Sequence, residues 1–219
     1  MAIPVIFSEV LFASAAYGAA VTGVTFDTGS FEIDNFDGTI LSGGNPTIDH
    51  DGTVLQLGYY SVPTNASTPW IPLTGEGSAN TAFANSTIGD RAELGGDNGI
   101  FIDGWLFTTG SLTTGQSFPP AGALLRVRFY NSSSLAGATA FQEVYNPVWL
   151  WQSPAEATPP NLYPVVRMSL DDAGTRQIGG DLLPANHHIK TDQGRLVPEP
   201  TALALLVAAT LGLSGIRRR

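Results

Sequence analysis

Between residues 21 and 191 this chain is divided into short β-prone stretches by clusters of glycine, aspartate, asparagine and proline, and that punctuation decides what it can fold into. Val21 to Phe26, Phe31 to Phe36, Val54 to Tyr60, Gly99 to Thr108, Leu124 to Asn131, Ala140 to Tyr145, Val148 to Gln152, Val165 to Leu170 and His187 to Thr191 are rich in β-branched and aromatic residues and predict strands. Asp27-Thr28-Gly29, Asp37-Gly38, Gly43-Gly44-Asn45-Pro46, Asp51-Gly52, Gly95 to Gly99, Asp171 to Gly174 and Gly179-Gly180-Asp181 are turn chemistry. In Leu124 to Asn131, Leu125, Val127 and Phe129 alternate with Arg126, Arg128 and Tyr130, so one face belongs to a core and the other to solvent or a second layer. Many short strands joined by glycine turns predict an all-β sandwich or barrel, of which a single jelly-roll-like β-sandwich domain is the expected form.

Composition narrows the function classes. The 219 residues include 25 glycines and no cysteine, so disulfides, zinc-thiolate sites and thiol nucleophiles are excluded and the fold must hold by packing. With a formal net charge of −9, the chain is a poor match for nucleic acid, and no nucleic-acid partner is expected.

The tail carries the strongest positional signal. Pro198 and Pro200 fix their own φ and hold Val197 and Glu199 away from helix, so Val197-Pro198-Glu199-Pro200 should be extended and open to another protein. Thr201 to Ile216 has no charged residue and predicts a helix apolar on all sides. Its sixteen residues span about 24 Å, short of the ~30 Å hydrocarbon layer, a gap that snorkelling arginines and local thinning can close. Arg217, Arg218 and Arg219 follow it, which places this end on the cytoplasmic side and everything before Val197 outside. The competing reading packs 201–216 as a terminal helix in a soluble core.

This order of Pro-Glu-Pro motif, apolar helix and arginine cluster resembles the PEP-CTERM sorting signal of Gram-negative bacteria that make exopolysaccharide. The resemblance covers only the last tenth of the chain. It implies that a membrane-embedded exosortase is the partner, cutting near Pro198-Glu199-Pro200, and that the protein is an inner-membrane-anchored precursor before it reaches the cell surface or matrix. The signal is an address, so it implies no fold or reaction for the residues before Val197.

Residues 1–20 are mostly apolar and close on small residues, with cleavage after Ala20 as the expected signal-peptidase site. No Lys or Arg precedes the apolar part and Glu9 lies inside it; a start codon upstream of Met1 is one explanation that would account for the missing charge. The alternative is a hydrophobic first strand. The expected organisation is therefore a signal peptide at 1–20, a β-sandwich at 21–181, a polar linker at 182–196 unless His187 to Thr191 forms a final edge strand, and the sorting tail at 197–219 with its transmembrane helix at 201–216.

No catalytic set emerges. His50, His187 and His188 fall in no nucleophile or zincin spacing, and a surface or edge-strand role is preferred over metal binding for the histidine pair. Asp49-His50-Asp51-Gly52 and Asp34-Asn35-Phe36-Asp37-Gly38 put hard oxygen ligands in tight loops, as calcium requires, but turn chemistry explains them and neither continues to the glutamate of an EF-hand. No cofactor or metal is assigned. Glu93, Asp97 and Asp103 supply a glycosidase pair only if folding brings two of them within roughly 5 to 10 Å. Trp149 and Trp151 stand two apart, so on a strand they share a face and are either core or a sugar-stacking platform. The expected function is a non-enzymatic, exported surface or matrix protein. The alternatives are an exopolysaccharide-binding module built on Trp149 and Trp151 and, behind it, a glycoside hydrolase.

Overall fold

The computed structural model describes residues 20–45, 51–61, 69–78, 80, 83, 85–89, 98–108, 118–156 and 163–192. The expected signal peptide apart from Ala20, Val197 to Pro200, the expected span 201–216, Arg217 to Arg219, His50, Glu93 and Asp97 lie outside them. Eleven strands are present in the described residues: β1 Ala20–Asp27, β2 Glu32–Asp34, β3 Leu55–Tyr60, β4 Trp70–Pro72, β5 Ile102–Thr108, β6 Leu124–Tyr130, β7 Phe141–Leu150, β8 Ala155–Glu156, β9 Val165–Ser169, β10 Arg176–Gln177 and β11 His188–Lys190. Leu135–Gly137 is a 3-10 turn and no α-helix occurs among the described residues, so the described fold is all-β. Among the described residues no helix is long and apolar enough to cross a membrane.

The strands form three sheets. A four-stranded sheet is centred on β1, with β5 antiparallel on one side and β8 antiparallel then β9 parallel along the other. A five-stranded antiparallel sheet runs β10-β7-β6-β3-β4, and a two-stranded parallel ribbon joins β11 to β2. Rows set by register supply the core. Leu57, Val127 and Val144 are cross-strand partners in the five-stranded sheet, as are Val166, Val24 and Trp105 in the other, and all six belong to one apolar cluster. Phe26 bridges the sheets, its ring 6.0 Å from Phe129 and 6.0 Å edge-on from Trp149. Burying so many aromatics gives a cysteine-free chain its cohesion.

Two sequence expectations are corrected here. The separate strands expected at Ala140 to Tyr145 and Val148 to Gln152 are one strand, β7. Leu124 opposes Leu150 while Arg126 opposes Tyr145, so residues 146–149 bulge against Leu125. Pro147, which has no N–H for a ladder, sits in that bulge. The linker expected at 182–196 begins too early. Ile189 is fully buried, β11 pairs with β2, and Asp192 bridges to Phe141, so residues 182–192 belong to the domain.

Candidate functional site

Trp149 and Trp151 are each 1% exposed. Of the two readings open for them, core or sugar-stacking platform, the burial matches the first: both rings are core. Trp149 donates Nε1–H to Asp172 Oδ2 at 2.9 Å, and Trp151 packs edge-on to Phe107 and stacked on Phe118. The bulge turns Trp149 inward, and hydrophobic burial takes two flat apolar rings out of solvent.

The outer face of the five-stranded sheet carries a different aromatic set. Gln56, Arg128 and Glu143 form one cross-strand row, and Gly58, Arg126 and Tyr145 the next. Glu143 is fully buried and accepts from Arg126 Nη1 at 2.8 Å, Arg128 Nε at 2.9 Å and the Tyr60 hydroxyl at 2.8 Å. Burial pushes the Tyr60 phenol upward, and the Glu143 charge adds to that while Arg128 opposes it. Trp70 lies over Gly58, where a Cβ would meet its ring carbons at 2.5 Å, and Arg128 stacks above that indole at 4.0 Å. The arginine side chains are only 14% and 12% exposed. Their charges are spent on Glu143 and on ring faces, so this surface is a second packed layer, the outcome that the alternation in β6 left open.

A serine, an aspartate and a histidine meet at the turn after β1. Ser30 Oγ lies 2.6 Å from Asp171 Oδ1 and 2.6 Å from His187 Nδ1, while its backbone N–H donates to Asp171 Oδ2. The order of contacts is wrong for a nucleophile. A carboxylate only accepts, so the hydroxyl proton goes to Asp171 and His187 Nδ1 must donate to the serine oxygen; the base is then unable to take its proton. The trio is a clasp joining residues far apart in sequence.

The ribbon of β2 and β11 gathers a metal-type donor set. Ile33 and Ile189 point into the core, so Glu32, Asp34, His188 and Lys190 share the opposite face. His188 Nδ1 is 3.0 Å from Asp34 Oδ2 and 4.0 Å from Glu32 Oε2. One donor atom from each of the three lies within 4.8 Å of the others. Asp34 Oδ1 is buried without a hydrogen-bond partner. Sequence reading passed over this set because it treated the histidines as a pair. The structure sends His187 to Ser30 and His188 to Asp34, and the available signal was the two acids two apart in β2.

The calcium loops resolve differently. Asp37 Oδ1 accepts from the Thr39 N–H and hydroxyl, which is turn capping, and Asp51 Oδ1 accepts from the Asn45 N–H. Asp103 Oδ1 accepts from the Gly104 N–H, and its expected partners Glu93 and Asp97 are outside the described residues. A shallow depression of about 200 Å³ beside Val54, Ser86 and Ser134 offers one carboxylate, Glu76, which accepts from the Leu135 N–H. Comparison with protein-family models, curated proteins and solved structures finds no match for this chain.

Proposed function

We propose that this is an exported, non-enzymatic surface or matrix protein whose all-β body is a jelly-roll-like sandwich delivered through a C-terminal sorting tail. One observation carries the reading: Val197-Pro198-Glu199-Pro200, the uncharged run 201–216 and Arg217 to Arg219 follow one another in the order an exosortase substrate requires. The body is compatible with that route, since a cysteine-free β fold packed by aromatics needs no disulfide after export. Its two main sheets, both feeding one core, support the sandwich reading. The last described residue, Asp192, is held at Phe141, and five residue steps to Val197 reach at most about 18 Å. The folded body would therefore sit close to the membrane face until the tail is cut.

The test is intact mass and cell fraction of the protein in an exosortase-bearing host, beside a chain carrying Pro198→Ala, Glu199→Ala and Pro200→Ala. The expected result is a wild-type chain shortened at its C-terminal end and found at the surface, with the variant uncut in the inner membrane. Two full-length chains behaving alike would reject the sorting reading. With Trp149 and Trp151 buried, nothing favours the polysaccharide-binding alternative over it.

A further inference from the structure

We propose that Glu32, Asp34 and His188 form a binding site for a divalent transition-metal ion of the zinc type, on the seam between β2 and β11. The inference rests on this ribbon alone and is independent of the sorting tail.

Register creates the site. Parallel pairing sets His188 directly opposite Glu32 and Lys190 opposite Asp34, and the period of two sends all four side chains to the face away from Ile33 and Ile189. Zinc bonds of 2.0 to 2.2 Å in a tetrahedron hold neighbouring donor atoms about 3.4 Å apart. The His188 separations of 3.0 Å from Asp34 and 4.0 Å from Glu32 bracket that value and all three donors lie within 4.8 Å of one another, so rotamer changes can bring them to bonding distance.

Asp34 supplies the independent sign of a missing ligand. Its side chain is only 5% exposed, one oxygen meets the imidazole, and the other has no partner. A buried carboxylate that meets only an imidazole is poorly compensated, and a cation supplies the charge that it lacks. Glu32 and His188, each 43% exposed, leave the site open to solvent, so an ion can enter and water can complete its shell. The imidazole nitrogen selects zinc-type ions over calcium and magnesium, which take oxygen ligands. Lys190 shares the face, but its ammonium lies toward the Asp37-Gly38 turn, where its charge acts on Asp37. An ion here would tie residues 32–34 to 188–190, doing in a cysteine-free chain what a disulfide does elsewhere.

Calorimetric titration of the purified, metal-stripped full chain with Zn²⁺, beside Ca²⁺ and Mg²⁺, tests the site. The expected result is saturable one-to-one zinc binding, lost in His188→Ala, weakened about tenfold or more in Glu32→Gln and kept in His187→Ala. Zinc at a hundredfold excess over Kd should raise Tm by roughly 5 to 10 °C in the wild type and not in His188→Ala. Glu32 is half-exposed, so Glu32→Gln tests the site without threatening the fold. Absence of zinc binding at millimolar concentration, or equal binding by the wild type and a folded His188→Ala, would overturn the proposal and leave a hydrogen-bonded His188–Asp34 pair.

Discussion

Arg128 Nε donates to Glu143 Oε2 at 2.9 Å from the directly opposing position on the neighbouring strand, and the carboxylate that receives it is fully buried. Arg126 reaches the other oxygen of the same carboxylate. Two guanidinium groups thus depend on one acid in a layer with little access to water. Glu143→Ala leaves both uncompensated and should cost about 3 to 5 kcal/mol. Urea unfolding measures it, and a loss below about 1 kcal/mol would mean that water enters the layer and solvates the arginines.

The two core tryptophans differ in one atom's fate. Trp149 Nε1 donates to Asp172, whereas Trp151 Nε1 is buried without a partner. Replacing each with Phe removes similar volume, but only Trp149→Phe removes a hydrogen bond to a carboxylate, Asp172 Oδ2 then keeping only the Ser169 N–H. Trp149→Phe should therefore be the more destabilising by about 1 to 2 kcal/mol. Equal losses would show that the Asp172 contact contributes nothing net.

How far the sequence carries depends on whether the deciding force is local. Leu124 to Tyr130 is legible because Leu125, Val127 and Phe129 alternate with polar partners on one strand. In β3 all six residues are buried, because the outer face is roofed by Trp70 and the arginines, and no local pattern announces that roof. β4, β8 and β10 contain three, two and two residues, too few for a periodic signal. The Glu32–Asp34–His188 cluster joins residues over 150 apart through a parallel pairing that neither segment encodes alone. Asn146-Pro147 reads as a break, yet the strand passes it by bulging.

His187 has φ +60°, a left-handed conformation that costs a residue with a Cβ about 1 to 2 kcal/mol. It is compensated by stacking on Phe31 at 4.7 Å and by the contact with Ser30. His187→Ala loses both contacts and keeps the strain, while His187→Gly loses them and removes it. The glycine variant should be the more stable by about 1 kcal/mol in thermal unfolding. A more stable alanine variant would mean that the turn is not held in this conformation in solution.

Two aspartates should titrate with opposite consequences. Burial, together with the charges of Asp171 and Asp172, raises the Asp27 carboxyl above its ordinary value of 3.8 despite the Ser169 hydrogen bond. The folded state then holds a proton that the unfolded chain has released, so stability falls as pH rises from 3.8 through the raised value and stays lower above it. Asp27→Asn keeps an acceptor for Ser169 and removes the fall, so Tm should gain on the wild type toward neutral pH. Hydrogen bonds from the Thr39 hydroxyl and N–H lower Asp37, whose contribution is present above 3.8 and lost as pH falls through its lowered value. Melting curves between about pH 3 and 7 separate the two. An Asp27→Asn profile parallel to the wild type would remove Asp27 as a source of pH dependence.

Ile189 tests where the domain ends. It is fully buried opposite Ile33, and the carbonyl of the following Lys190 accepts from Gln142 Nε2 at 2.9 Å, tying β11 to the five-stranded sheet as well as to β2. Ile189→Ala should open a cavity costing about 2 to 5 kcal/mol. Leu182, 60% exposed in the same segment, provides the contrast: Leu182→Ala should stay within about 0.5 kcal/mol. A polar linker starting at Leu182 would make both substitutions silent. If Ile189→Ala unfolds at the wild-type urea midpoint, β11 is not docked in solution, and the tether before Val197 regains the length that the folded strand takes from it.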